Sequence, residues 1–186
     1  MNYPCGIKKQ ENKMIFYGNR GMTLEEDLNK ANEYYLLEDI AVIYKKPTPI
    51  KIVDVSYPSR KDAIIKKAYF QIPSTTDYNG IYKGRYIDFE AKETTSCTSF
   101  PLANIHPHQI DHLKRVIKHK GIAFLIVRFT KLNKTFLLPA EKLITFLEEE
   151  SRKSIPVKFF ETHGFIVLEK YNPRLDYLSI VNKIYF

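Results

Sequence analysis

The 186-residue sequence predicts a single mixed α/β domain, and three observations carry that prediction. Residues 23–38 join a helix-start signature to apolar residues at helical spacing. Residues 75–92 read as a β-hairpin, and residues 122–129 form a short apolar run of the kind found in buried strands. The order that emerges is helix, strands, helix, strand, strand, helix, helix.

The first helix opens at Thr23. Thr23-Leu24-Glu25-Glu26 fits a capping box, in which the Thr hydroxyl and the Glu carboxylate each satisfy a free backbone N–H. Glu25, Glu26 and Asp27 sit at the favourable end of the helix dipole, and Leu24, Leu28, Ala31 and Tyr35 mark the buried face. Residues 40–44 are a short β-rich run that ends before Pro47 and Pro49, so this strand belongs near an edge. Ile50 to Val55 is a partly alternating strand, and residues 60–69 (RKDAIIKKAY) read as a short basic helix. The Pro-punctuated stretch 45–72 reads as an insertion projecting from the core.

Lys83-Gly84 fits a two-residue hairpin turn, with Gly available for positive φ. Residues 106–120 carry Ile110, Leu113, Val116 and Ile117 at helical spacing, and Gly121 is placed to cap that helix. Two strands follow, 122–129 and 134–138. Pro139 opens another helix with Leu143, Phe146 and Leu147 on one face. Leu178, Val181, Ile184 and Tyr185 predict a last helix.

Composition narrows the functional classes. Hydrophobic residues are 44% and charged residues 27%, as in a folded domain with a sizeable core. No apolar run approaches the roughly 20 residues of a membrane helix. The opening MNYPCGIKKQ lacks the apolar stretch of a secretory signal, and two cysteines make no disulfide framework, so a cytoplasmic location is expected. Lys and Arg number 29 against 21 Asp and Glu, a net charge of +8, which suits a polyanionic partner. Residues 45–67 hold seven Lys/Arg and two Asp, a net +5, so the insertion carries most of that charge.

The hairpin is where chemistry concentrates. With Lys83 and Gly84 as the turn, cross-strand partners have numbers that sum to 167, placing Asp77 opposite Glu90 and Thr75 opposite Lys92. Strand alternation then puts Thr75, Asp77, Asn79, Asp88, Glu90 and Lys92 on one face, with Tyr78, Tyr82, Ile87 and Phe89 on the other. Opposed residues have Cβ atoms roughly 4.5–5.5 Å apart, and two carboxylates there repel unless a cation lies between them. An oxygen-seeking divalent ion such as Mg²⁺ answers that requirement. Lys92 would hold the attacking water or face the developing phosphoryl charge. Asp88 shares this face, and a different turn register would make it the partner of Glu90 instead.

Asp77 followed by Glu90-Ala91-Lys92 resembles the PD-(D/E)xK nuclease signature. Longer matches point to one family: Asn19-Arg20-Gly21-Met22-Thr23-Leu24-Glu25, Lys45-Lys46-Pro47-Thr48-Pro49, Ser74-Thr75-Thr76-Asp77-Tyr78-Asn79-Gly80, and Tyr86 to Glu93. Ser99-Phe100-Pro101-Leu102, His108-Gln109-Ile110 and Pro173-Arg174-Leu175-Asp176-Tyr177 continue the pattern. Together they resemble the RecU family of Holliday junction resolvases, from about Tyr17 to Phe186. The resemblance implies a restriction-endonuclease-like core, a central mixed sheet flanked by helices, and a protruding stalk that falls on residues 45–72. Residues 1–16 are left as a flexible N-terminal arm. It implies a homodimer that cuts four-way DNA junctions by symmetric paired nicks with Mg²⁺ or Mn²⁺, and a further modulation of the bacterial recombinase. It assigns the metal site to Thr75, Asp77, Glu90 and Gln109, and transition-state stabilisation to Lys92.

On the stalk, Lys45 and Arg60 are the expected phosphate contacts, since a junction is recognised by shape rather than base sequence. Glu26 reads as a capping residue and Glu25 as a candidate for a lesser catalytic role. His106, His108 and His112 cluster at a helix start and read as facing solvent or DNA rather than zinc. Two rival functions stand beside the resolvase: a PD-(D/E)xK nuclease for another DNA substrate, and a non-catalytic DNA-binding or recombinase-modulating protein.

Overall fold

The computed structural model describes residues 23–59, 62–71 and 75–186, and these form ten strands and five α-helices. Helix α1 (Leu24–Leu37) starts at the expected capping box, with Thr23 Oγ1 accepting the Glu26 N–H and Glu26 accepting the Thr23 N–H. Strand β1 (Val42–Lys45) follows, then a hairpin of β2 (Ile50–Ser56) and β3 (Ile64–Phe70). Next come β4 (Tyr78–Tyr82), β5 (Arg85–Thr94), the short β6 (Ser99–Pro101) and α2 (Pro107–Lys118). Strands β7 (Ile122–Phe129) and β8 (Lys134–Pro139) lead into α3 (Ala140–Glu149). The chain ends through β9 (Ser154–Pro156), α4 (Val157–His163), β10 (Phe165–Ile166) and α5 (Tyr177–Tyr185).

The main sheet has the order β1-β4-β5-β7-β8-β10, with β5 and β7 parallel and the other neighbours antiparallel. Every residue of β7 is buried, because helices cover both of its faces. On one side α1 and α5 pack Leu24, Leu28, Tyr177 and Val181 against Ile87, Phe89, Phe124 and Ile126. On the other, α2, α3 and α4 pack Leu113, Leu143 and Phe160 against Ala123, Leu125 and Val127. The central mixed sheet flanked by helices is the architecture the sequence leads one to expect.

Two expectations change. The helix expected at residues 60–69 is replaced over its described part: Ile64–Phe70 is strand β3, paired antiparallel with β2 from Ile50↔Phe70 to Ser56↔Ile64 through a bulge near Asp54. The β-branched and aromatic residues at its ends find cross-strand partners, and that pairing overrides the helical reading of its lysines. Nor does Gly121 cap α2 through a left-handed backbone. Lys120 takes that conformation, at φ 62°, while a Cβ on Gly121 would lie 2.6 Å from Val116 Cγ1. Gly121 is needed for close approach rather than for its φ.

Candidate active site

The turn between β4 and β5 sets the site. Lys83 and Gly84 both have positive φ, 47° and 76°, the requirement of the turn type that matches strand twist in a two-residue hairpin. The ladder runs Tyr82↔Arg85, Gly80↔Ile87, Tyr78↔Phe89. This is the register read from the sequence, and its continuation sets Asp77 against Glu90. Phe89 locks β5 from the opposite face, with its ring stacked at 4.8 Å on Tyr78 and 4.7 Å on Phe124 and tilted against Tyr177 at 5.3 Å. With Phe89 fixed toward α1 and α5, its neighbours Asp88 and Glu90 must point toward α2.

Glu90 is fully buried. Its Oε1 accepts from Lys92 Nζ at 2.6 Å and from Gln109 Nε2 at 2.7 Å, whereas Oε2 is buried with no hydrogen-bond partner. Burial, and then the negative charge of Asp77, push the Glu90 carboxyl up to about 8, and Lys92 only partly offsets this. Asp77 is half-buried and accepts the Ala91 N–H on Oδ2 at 3.3 Å, a bond that ties it across to β5. Lys92 keeps 23% of its side-chain exposure. It lines a cleft of about 450 Å³ together with Asp77, Glu93 and the Thr23, Glu25 and Glu26 end of α1.

The structure therefore brings Asp77, Glu90, Lys92 and Gln109 together. Thr75 lies two residues before Asp77 in the half-buried segment leading into β4. Gln109 sits in the first turn of α2, where its Oε1 accepts the His106 N–H at 2.9 Å while its nitrogen donates to Glu90. In this arrangement Gln109 orients the carboxylate, and a direct contact of its oxygen with an ion would require the amide to turn over. Lys45 is drawn to the core side of the cleft by an ion pair with Glu25, both side chains being exposed. Arg60 lies outside the described residues.

Asp88 resolves differently from Asp77. It is fully buried, and its oxygens are taken up by Lys46 Nζ (2.8 Å), Tyr86 Oη (2.7 Å), His112 Nε2 (3.0 Å) and the Thr76 hydroxyl. Lys46, Thr76, Tyr86 and His112 are residues that the sequence reading did not single out for this site. His112 in particular faces neither solvent nor DNA alone but bonds a buried acid. His106 and His108 stack on each other with centroids 5.4 Å apart. Among the described residues no group of three or more His, Cys, Asp or Glu side chains is placed to hold a metal ion.

The family model of Recombination protein U, RecU, matches residues 19–183. The chain belongs to the RecU family. A protein of Geobacillus sp. (strain WCH70) named Holliday junction resolvase RecU is 58% identical over 195 residues, covering 99% of this chain and 97% of its own length. Proteins of the same name from Bacillus cytotoxicus and Bacillus cereus (strain AH820) are 53% and 54% identical, over 99% and 91% of this chain and 94% and 86% of theirs. Among solved structures, Archaeoglobus fulgidus Hjc, a Holliday junction resolvase from an archaeal hyperthermophile, aligns at a TM-score of 0.43 and 11% identity over 76% of this chain and 92% of that one. The RecU match spans Thr75, Asp77, Glu90, Lys92 and Gln109.

Proposed function

We infer that this RecU chain is a Holliday junction resolvase, a nuclease that cuts four-way DNA junctions in recombination and repair, and that it does so with a divalent cation at Asp77 and Glu90. The observation that carries the metal reading is the buried Glu90 Oε2, which has no partner although its carboxyl faces a second acid. A cation between the two acids would remove their repulsion, give Oε2 a partner and take the place of the proton that burial holds on Glu90. The donor set is hard oxygen with only two carboxylates, which suits Mg²⁺ or Mn²⁺ with water and phosphate oxygens completing the shell. When bound, such an ion would polarise the scissile phosphate and lower the pKa of a water.

The chain's own residues supply the rest. Asp77 and Glu90 would hold the ion, with Thr75 at the edge of the segment that carries Asp77. Gln109 fixes the rotamer of Glu90 through its 2.7 Å hydrogen bond. Lys92 holds an ammonium at the cleft beside Glu90, where negative charge develops on the phosphoryl group. The basic β2–β3 hairpin, as the stalk, would meet the junction arms, with phosphate contacts from Arg60 and from Lys45, the last residue of β1. Two symmetric nicks call for two equivalent sites, which a C₂ homodimer provides. The compartment of this chemistry is the cytoplasm, where the recombinase that the stalk would also touch acts. Among the described residues no helix is long and apolar enough to cross a membrane.

The test compares a synthetic four-way junction with linear duplex of the same sequence in Mg²⁺. The chain should nick the junction in symmetric pairs and leave the duplex intact, and Asp77→Asn should bind the junction without cutting it. Equal cutting of duplex would point to another DNA substrate. Undiminished cutting by Asp77→Asn would remove the proposed metal site, and no cutting with any divalent ion would favour a non-catalytic role.

A further inference from the structure

Asp88 lies on the same face of β5 as Glu90, two residues away, yet the structure uses it differently. A carboxylate offers about four lone-pair positions. On Asp88 four side chains converge, three on one oxygen and one on the other: the Lys46 ammonium, the Tyr86 hydroxyl and His112 Nε2 on Oδ2, and the Thr76 hydroxyl on Oδ1. No part of Asp88 reaches the cleft, since its exposure is 0%.

The four partners come from four segments, and most of them adjoin a site residue. Thr76 immediately precedes Asp77. Lys46 donates its Nζ to Thr76 Oγ1 at 3.0 Å, and its backbone N–H to the Asp77 carbonyl at 2.7 Å. His112 lies three residues after Gln109 on α2, so the two side chains leave the same face of the helix about one turn apart. Gln109 reaches Glu90 while His112 reaches Asp88, two residues back along β5. The helix is thus docked on the strand by two polar contacts in register.

We propose that Asp88 is a positioning residue of the active site: its buried carboxylate ties together the segments bearing Asp77, Glu90 and Gln109, and so sets the spacing at which the divalent cation is held. The inference rests on the metal site proposed above. Partners that orient ligands from behind are worth about 10- to 100-fold in metal affinity when removed. Asp88 acts on Glu90 and Asp77 through such partners and touches neither the ion nor DNA.

The test is Mn²⁺ binding to the DNA-free protein, read from the electron paramagnetic resonance signal of free Mn²⁺, alongside junction affinity without metal and thermal stability. Asp88→Asn, which keeps the shape, should weaken Mn²⁺ binding by about 10- to 100-fold while junction affinity stays within about twofold. His112→Leu removes one spoke only. It should lower Mn²⁺ affinity in the same direction, and it carries the test should Asp88→Asn fail to fold. A folded variant of either kind that binds Mn²⁺ as the unaltered chain does would overturn the proposal, even with a lower melting temperature. Absence of Mn²⁺ binding by the unaltered chain would instead overturn the metal site itself, so the two failures are told apart.

Discussion

The β4–β5 hairpin and the β2–β3 hairpin are both two-stranded antiparallel units of the same chain, and they are stabilised in opposite ways. The first is sandwiched in the main sheet, with Phe89 and Glu90 on its two faces both fully buried. The second pairs only with itself, and Ile50, Ile52, Ile64, Ile65 and Phe70 all remain exposed. An isolated two-stranded ribbon gains little from burial in water. Rigid placement of acids needs the first kind of setting, whereas a probe that reaches out to a large polyanion can use the second.

Three outcomes would break or sharpen that contrast. The largest effect belongs to the buried side: Phe89→Ala should destabilise the chain by about 3–5 kcal/mol, because aromatic neighbours on three sides cannot collapse into the space. Ile52→Ala in the exposed hairpin should cost under about 0.5 kcal/mol. Chemical denaturation of the two variants reads the difference, and equal losses would mean that the outer hairpin is covered in solution.

Next in size is a pH effect confined to the buried acids. The Glu90 carboxyl is raised to about 8, so in the metal-free protein it holds its proton through neutrality and must release it to bind a cation. Mn²⁺ affinity should therefore fall by up to about tenfold per pH unit below about pH 8 and level off above it. A flat profile between about pH 6 and about pH 9 would show that burial beside Asp77 does not set the charge of Glu90 as described.

The smallest effect concerns Lys45, the exposed last residue of β1. Lys45→Gln should lower junction affinity several-fold and reduce the slope of log affinity against log salt by about 1. An unchanged slope would mean that Lys45 stays bound to Glu25 when the junction is present.

What could be read in the sequence was what neighbours along the chain decide. The Thr23 capping box, the apolar run of β7 and the parity imposed by a two-residue turn are local, and parity alone puts Asp77 and Glu90 on one face. Residues 60–69 misled because their lysines and alanines carry a helical pattern, while the deciding contacts come from β2, eight or more residues away. Nothing in the sequence tied Lys46 or His112 to Asp88 either. Their roles depend on how the chain after β1 and the face of α2 meet one buried carboxylate, and that convergence exists only once the layers are stacked.

The Lys83–Gly84 bend has a consequence for how this molecule can vary. Adding or deleting a single residue there would shift the pairing sum by one and turn Asp77 over to the side of Phe89 and Tyr177, away from its fellow acid. Length at this corner works as a gauge. Loops elsewhere tolerate growth, but here one extra peptide unit would leave the fold recognisable and the chemistry gone.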